Sequence, residues 1–325
     1  MNLEKAKNIG IIMGGYSNEY DISIKSGQVV YETLKDTYNC FKIYIKKDEW
    51  ILKKNNNSYS IDIDNFKING FNNLKLDCIF NAIHGSPGED GKMQKYFEDK
   101  NIPITGCNSY LSELTFDKIA CLNFLSSKGI KVAKSVSILK SEIIDVNEIT
   151  KKIGFPCFIK ASNSGSSFGV YKVYKKEEMV KCINSAFEYG DKVLIESFIQ
   201  GREFSIGVIS YKGVTKTLPI TEIITSNDFF DYEAKYEGKA EEITPAKITN
   251  ELKSELEMLS KRVYNLLGLI GFSRSEFIVN SSGIYYLETN TVPGLTAESI
   301  LPQQAKCANI SLKELFTNAI NEAII

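Results

Sequence analysis

The chain has 325 residues, of which 43% are hydrophobic and 24% are charged. This composition is ordinary for a globular protein and excludes a disordered or fibrous chain, and the length predicts two domains or three small ones. The formal net charge of −1 excludes a general basic field that would attract nucleic acid or an anionic membrane. We therefore expect no nucleic acid and no membrane among the partners.

Cysteine usage and hydropathy indicate the compartment. No segment approaches the roughly 18 apolar residues of a membrane span, and the N-terminal apolar stretch runs into Gly14 and Gly15 without a cleavage site. The seven cysteines are scattered singly without a CxxC pair, which favours reduced thiols and argues against a thiolate zinc site. The single histidine excludes a His-rich metal site. We expect a cytoplasmic protein.

The first third of the chain alternates strands with helices. Apolar strands are predicted at 8–13, 40–45 and 76–83, and helices at 22–34 and 92–100. An Asn-rich segment at 53–65 is predicted to be a surface hairpin or loop. The alternation predicts a parallel α/β sheet with functional loops at the carboxyl ends of its strands. The loops GGYSNE (14–19) and HGSPGEDG (84–91) occupy such positions.

From residue 115 the pattern becomes that of an α+β unit. A helix is predicted from residue 115 through residue 127. Short strands follow at 136–140, 155–162, 169–174 and 192–197, with a second helix at 176–189 before the last of them. Longer strands follow at 202–210 and 214–224, then a helix at 250–267 and strands at 272–279 and 284–290. No repeat of fixed period is present.

The last two strands, joined by the turn NSSG, form a predicted hairpin. Because side chains alternate faces, Arg274 and Glu276 share one face, and Tyr286, Glu288 and Asn290 share one face of the partner strand. If the numbers of paired residues add up to about 564, Glu276 lies opposite Glu288 and Arg274 lies opposite Asn290. A slip of one residue would put the two sets of side chains on opposite faces of the sheet.

Two facing carboxylates repel each other unless positive charge lies between them. One interpretation is a hard divalent cation such as Mg²⁺, bound by oxygens of Glu276, Glu288 and Asn290 together with substrate phosphates. The alternative is a solvated sheet face on which Arg274 neutralises one glutamate. The spacing alone leaves both open.

Other candidate positions are individually weak. The loop SNSGSSFG (162–169) could bind an anion through its backbone N–H groups or be a flexible turn. Lys118 and Lys160 could bind phosphate or be surface lysines, and the segment 196–199 could be a nucleotide hinge or a charged strand end. His84, at a strand end, could contact a substrate or be structural. The segment FFDYEAKY (229–236) is either a lid or a packed loop.

Taken together, these motifs resemble the D-alanine–D-alanine ligases of the ATP-grasp superfamily. The match runs in chain order through GGYSNEYDIS, NAIHGSPGEDG, LTFDK, CFIKASNSGSSFG, VLIESFI with GREFS, FFDYEAKY, SRSEF and LETNTVPGLTAES. Each motif is modest by itself, but eight in the correct order are highly specific. Many relatives have aspartate where this chain has Glu276, so its carboxylate is one methylene longer.

The resemblance implies an α/β and α+β protein: an ATP-grasp fold with an N-terminal parallel α/β domain. The expected domains are an N-terminal domain at 1–107, a central domain at 108–200, and a C-terminal domain at 201–325 that carries the lid and the metal site. The implied reaction joins two D-alanines through an acyl phosphate, for peptidoglycan. ATP and two Mg²⁺ or Mn²⁺ ions are the implied cofactors, and we expect a homodimer.

The resemblance also assigns roles to individual residues. The catalytic set is Glu19, Ser166, Tyr236, Arg274 and Gly294, in which Arg274 and the Gly294 amide form an oxyanion site. The metal ligands are Glu276, Glu288 and Asn290. The nucleotide contacts are Lys118, Lys160, Ser164, Gly165, Ser167, Glu196, Ser197, Phe198, Ile199 and Glu203. The further substrate contacts are His84 for the first D-alanine and Lys235, Ser299 and Ile300 for the second.

Two other functions remain possible on the sequence. A related ATP-grasp ligase could use D-serine, D-lactate or L-amino acids, and acceptor competition would separate it. A non-catalytic nucleotide-binding regulator could share the fold. The joint presence of Arg274, Glu276, Glu288 and Asn290 disfavours the regulator, because binding ATP does not require an oxyanion donor beside a metal site.

Overall fold

A computed structural model describes residues 6–71, 74–165, 168–225 and 240–324. The predicted site residues Ser166, Ser167, Lys235 and Tyr236, and the predicted lid at 229–236, lie outside these ranges. Three β-sheets follow one another along the described chain.

The first sheet has six strands in the order β5-β4-β3-β2-β1-β6. Its elements are β1 (Asn8–Gly14), α1 (Tyr20–Leu34), β2 (Asn39–Lys46), β3 (Glu49–Lys54), β4 (Asn57–Asp62), β5 (Lys67–Ile68), β6 (Cys78–Asn81) and α2 (Lys92–Glu98). The strands β2, β1 and β6 are parallel, as predicted. The Asn-rich segment adds antiparallel strands, because Asn55 and Asn56 adopt the positive φ of a tight hairpin turn. The sheet is therefore mixed.

The second sheet has four strands in the order β7-β10-β8-β9. Its segment contains α3 (Ser109–Phe116), α4 (Lys118–Ser127), β7 (Ser135–Leu139), α5 (Val146–Ile153), β8 (Cys157–Ala161), β9 (Val170–Val173), α6 (Lys176–Ala186) and β10 (Lys192–Ser197). The sequence did not predict α5 or most of α3, and the helix predicted at 115–127 covers only the end of α3 and all of α4. They divide at Asp117, whose side chain accepts a hydrogen bond from the amide of Ala120 and caps α4.

The third sheet is antiparallel, in the order β14-β13-β11-β15-β16, with β12 paired to β11. Its segment contains β11 (Arg202–Tyr211), β12 (Val214–Thr217), β13 (Thr221–Thr225), β14 (Ala240–Ile243), α7 (Asn250–Leu267), β15 (Phe272–Asn280), β16 (Gly283–Asn290), α8 (Ile300–Cys307) and α9 (Leu312–Ala323). The strand predicted at 214–224 is two strands, separated around Pro219, which has no N–H for a sheet. The helices α8 and α9 were not predicted.

The C-terminal helices pack against the first sheet. Phe316 of α9 is fully buried and meets Phe80 of β6 edge to face, with ring centroids 5.3 Å apart. This packing brings the loops after β1 and β6 close to the end of β16. In the part of the chain that the structure describes, no helix combines the length and apolarity needed to cross a membrane. The division into three domains at residues 107 and 200 stays a prediction.

Replacing Phe316 with alanine tests this packing. We expect Phe316→Ala to lower the free energy of unfolding by about 3–5 kcal/mol, because it leaves a cavity between α9 and the first sheet. Met258→Ala, at a side chain that is 68% exposed, should change it by less than about 0.5 kcal/mol. Urea unfolding followed by circular dichroism measures both. Equal effects would contradict the packing.

Candidate active site

The hairpin of β15 and β16 carries the acidic residues of the candidate site. Its turn pairs Asn280 with Gly283, and the register shifts by one residue between Glu276 and Phe277. Leu287 is the additional residue of this β-bulge. Beyond it, Glu276 pairs with Glu288, and Arg274 pairs with Asn290. The predicted pairing of the two glutamates is confirmed.

The bulge changes the alternation of side chains along β16. Tyr286 pairs with Phe277 and packs against it in the core, with ring centroids 5.9 Å apart. Its hydroxyl donates a hydrogen bond to Thr289 at 3.0 Å, whereas Leu287 and Glu288 line the cleft. The prediction that Tyr286 shares a face with Glu288 is therefore wrong. The inserted residue moves the two side chains to opposite faces.

Each facing glutamate has a cation beside it. Arg274 donates hydrogen bonds to the carboxylate of Glu276 and, at 2.9 Å, to the hydroxyl of Ser205. Lys118 Nζ lies 3.8 Å from Glu288 Oε2 and donates to the carbonyl of Ser164 at 2.6 Å. Glu276 is only 4% exposed, whereas the Glu288 side chain is 34% exposed, so this face is partly buried, and Arg274 neutralises Glu276. Burial alone would lower the pKa of Arg274, but Glu276 and Glu288 outweigh it and raise that pKa.

The side chains of the hairpin fit a hard divalent cation. Glu276, Glu288 and Asn290 lie at paired or adjacent positions and all line the cleft, and they offer oxygen atoms, which Mg²⁺ prefers. Among the described residues, no group of three or more His, Cys, Asp or Glu side chains could hold a metal. Two carboxylates and one amide match the sparse protein ligation that Mg²⁺ uses when phosphate supplies further oxygens.

The predicted hinge lies at the end of β10. Lys160 of β8 forms an ion pair with Glu196, and its Nζ lies 5.1 Å from the centre of the Phe158 ring. Burial alone would lower the pKa of Lys160, but the adjacent carboxylate of Glu196 outweighs it and raises that pKa. The amides of Ser197 and Phe198 donate to the carbonyls of Lys134 and Pro156. These bonds fix the backbone at the entrance of the cleft.

The Gly-Ser loop touches the N-terminal unit at Gly165. A Cβ atom on Gly165 would lie 2.7 Å from Glu19 Oε2, so a larger residue here would displace the end of the Glu19 side chain. The loop is closed by hydrogen bonds from Phe168 N to Gly165 O and from Ser164 Oγ to Phe168 O. The loop predicted to bind phosphate and the carboxylate predicted to bind the first substrate are therefore in contact.

His84 is buried, 3% exposed, beside two acidic residues. Its Nδ1 donates to the carbonyl of Val292 at 2.9 Å and lies 3.8 Å from Glu89 Oε1. Burial opposes its charge, but Glu89 and Glu19 outweigh burial and raise the pKa of His84. Burial also raises the pKa of Glu89. The sequence analysis assigned no role to Glu89, although it lies within the motif HGSPGEDG.

The segment after β16 turns back on itself. Asn290 Oδ1 accepts from the amide of Val292 at 2.8 Å, and the hydroxyls of Thr296 and Ser299 are 2.9 Å apart. A Cβ atom on Gly294 would lie 2.6 Å from Ser299 Oγ, so a larger residue at this position would displace the Ser299 side chain. Ser299 immediately precedes α8, which begins at Ile300.

All these elements line one cleft of about 970 Å³. Every predicted site residue within the described ranges lines it, from Glu19 and His84 of the first unit to Ser299 and Ile300 beside α8. The roles assigned to these residues stay predictions. Positions 166, 167, 235 and 236 lie outside the described residues.

Comparison with known proteins identifies the family. Residues 8–107 match the family described as "D-ala D-ala ligase N-terminus", and residues 124–321 match "D-ala D-ala ligase C-terminus". The D-alanine–D-alanine ligase of Flavobacterium johnsoniae is 52% identical over 97% of this chain and 98% of its own length. The chain belongs to the D-alanine–D-alanine ligase family. The predicted family, its ATP-grasp fold and a ligase activity are confirmed.

Solved structures of the family resemble the whole chain. The VanG D-Ala:D-Ser ligase from Enterococcus faecalis is 30% identical, with a TM-score of 0.87 over 99% of this chain and 100% of that one. The D-alanine–D-alanine ligase from Bacillus anthracis complexed with ATP is 28% identical, with a TM-score of 0.81 over 98% of each chain. The likeness therefore covers all three sheets.

The pKa of His84 can be measured directly, because His84 is the one histidine of the chain and its signals need no further assignment. We expect NMR titration to give a pKa above the ordinary value of about 6.5, and Glu89→Gln to lower it by removing the carboxylate that stabilises the imidazolium. Glu19→Gln should lower it less, because Glu19 has the weaker influence. An unchanged pKa in Glu89→Gln would contradict the assigned cause.

Proposed function

We propose that the chain joins two D-alanines to D-alanyl-D-alanine at the expense of ATP, through an acyl phosphate, for peptidoglycan synthesis. The single observation that carries this proposal is the hairpin face on which Glu276 meets Glu288 and Arg274 meets Asn290. The same cleft holds the Lys160–Glu196 hinge and the Gly294 turn. A phosphoryl-transfer centre thus lies beside an oxyanion site.

The reaction needs an activated carboxylate, because a carboxylate is a poor electrophile. An oxygen of the first D-alanine's carboxylate takes the γ-phosphoryl group and ADP leaves. The amine of the second D-alanine then attacks the acyl carbon, the phosphate leaves with the C–O bonding pair, and the nitrogen loses a proton. Both steps develop negative charge at fixed positions, which oriented donors and cations stabilise.

The first D-alanine lies between the N-terminal loops and the hairpin. Glu19 binds its ammonium group, and the contact of Glu19 with Gly165 sets that carboxylate against the Gly-Ser loop. Arg274, held by Glu276 and Ser205, and the amide of Gly294 bind the oxyanion of the tetrahedral intermediate. In the proposal, Ser166 and Tyr236 complete a hydrogen-bonded trio with Glu19, and His84 lies nearby.

The nucleotide lies between the second and third sheets. Lys118 and Lys160 bind its phosphates and adenine, with Ser164, Gly165 and Ser167 closing over the phosphates. The segment 196–199 contacts the edge of the adenine base, and Glu203 binds the ribose. Glu276, Glu288 and Asn290 would hold Mg²⁺ or Mn²⁺, which when bound neutralises charge on the β- and γ-phosphates.

The second D-alanine binds at the start of α8. Ser299 and the amide of Ile300 lie at the N-terminus of this helix, where backbone N–H groups and the helix dipole favour a carboxylate. Lys235 supplies a further positive charge in the proposal. We also propose a cytoplasmic location, because ATP is available there, and a homodimer, which sedimentation velocity can test.

A direct assay tests the activity. Purified protein with Mg²⁺ and ATP should release phosphate and form dipeptide from D-alanine, and should form none from L-alanine. Because one structural relative is a D-Ala:D-Ser ligase, D-serine and D-lactate are added in competition with D-alanine. Folded protein that forms no dipeptide from D-alanine would overturn the proposal. If D-serine or D-lactate were joined to D-alanine in preference to a second D-alanine, the proposed acceptor would be replaced by that compound.

The hairpin charges give a sharper test. We expect Glu288→Gln to lower kcat at least about 1000-fold, since it removes a charge that stabilises the transition state, while circular dichroism shows an unchanged fold. Glu255→Gln, the same change at an exposed position of α7, should retain full activity. Near-normal turnover of Glu288→Gln would contradict the metal assignment.

A further inference from the structure

We propose that Ser26, together with His84, is a positioning residue that holds the turn at Val292 to Leu295 so that the amide of Gly294 is aimed at the reacting carbonyl. The inference rests on the proposed role of Gly294 as an oxyanion donor. Neither the chain's motifs nor its predicted site residues assigned a function to Ser26.

Two hydrogen bonds from the N-terminal unit hold this turn on either side of Gly294. His84 Nδ1 donates to the carbonyl of Val292 at 2.9 Å, and the amide of Leu295 donates to Ser26 Oγ at 3.3 Å. Ser26 Oγ and His84 Nε2 are joined by a third hydrogen bond of 2.8 Å. The two anchors are therefore one connected network.

The network has the same partners whichever charge His84 carries. A carbonyl only accepts, so Nδ1 carries a proton toward Val292 in both states. In the neutral ring, the Ser26 hydroxyl donates to Nε2; in the charged ring, Nε2 donates to Ser26 Oγ. In both cases the Ser26 oxygen keeps a lone pair for the amide of Leu295.

Both anchors are buried. Ser26 is fully buried on α1, and His84 is 3% exposed in the loop after β6. Among the described residues, the turn's other hydrogen bond is local, from Val292 N to Asn290 Oδ1, and Ser299 approaches Gly294. The Leu295 side chain also packs in the apolar core that the first sheet shares with the C-terminal helices. Apolar packing is non-directional, whereas an oxyanion donor must be aimed at a defined position. Ser26 and His84 supply hydrogen bonds, which are directional, between the turn and the first sheet's unit.

This arrangement also limits what His84 can do for a substrate. Both ring nitrogens have protein partners, Val292 O and Ser26 Oγ. His84 therefore acts on the first D-alanine through the turn, instead of through a direct hydrogen bond.

The test compares Ser26→Ala with Ser23→Ala. Ser23 is a matched control: it is also fully buried, one turn earlier on α1, and its hydroxyl bonds Gly14 N and Ala82 O within the first sheet's unit. Ser26→Ala should lower kcat for dipeptide formation by roughly 10- to 100-fold and change the KM for ATP less than about twofold. Ser23→Ala should leave kcat within about threefold of the parent enzyme.

A second readout does not depend on activity. Hydrogen exchange of the Leu295 amide should be at least about tenfold faster in Ser26→Ala than in the parent protein, because the amide loses its acceptor. Ser23→Ala should leave this rate unchanged. If Ser26→Ala folds poorly, Ser26→Cys keeps the shape with a weak hydrogen-bonding group and is expected to behave in the same way.

The outcomes separate this inference from the proposed function. A parent protein that makes no dipeptide would overturn the proposed function, and the exchange rates would then decide whether Ser26 holds the turn. With an active parent, equal kcat values for Ser26→Ala and Ser23→Ala would overturn the positioning role. So would an unchanged exchange rate at Leu295.

Discussion

The structure depends on two glutamates that face each other across a hairpin, one of them, Glu276, buried and the other, Glu288, partly exposed. Like charges on directly opposite strand positions repel, and removal from water makes the repulsion costlier. Arg274 and Lys118 offset it, one beside each carboxylate. Lys118 also holds the carbonyl of Ser164. The charge balance of the hairpin therefore ties it to the Gly-Ser loop, and a bound metal ion would replace part of this compensation.

The second constraint is the docking of the C-terminal helices on the first sheet. Phe316 against Phe80 is apolar and non-directional, and it sets the distance between the two units. Polar contacts of His84 and Ser26 with the 292–295 turn then set the orientation, because hydrogen bonds require defined angles. A cleft formed by three chain segments thus acquires a single geometry.

Much of the fold could be predicted from local pattern. The helix at 250–267 was predicted with its observed bounds, because Thr249 caps its start and Gly268 ends it in a left-handed conformation. The short helices α5, α8 and α9 were missed. Two of them, α5 and α8, have eight residues, too few turns for a clear apolar period. A proline divides the strand predicted at 214–224, because the prediction followed the apolar pattern and did not treat the proline as a break.

The sequence by itself determined the family, through eight motifs in order, and predicted a hairpin in which Glu276 faces Glu288. The turn alone, which pairs Asn280 with Gly283, would place Leu287 opposite Glu276, so the observed pairing depends on the bulge. Only the tertiary structure decided that Leu287 forms a bulge and sends Tyr286 into the core. It alone showed that Glu89 lies beside His84 and that Ser26 reaches Leu295, 269 positions away in the chain. These contacts join segments that are far apart in the chain. An individual contact of this kind produces no periodic pattern or fixed spacing in the sequence.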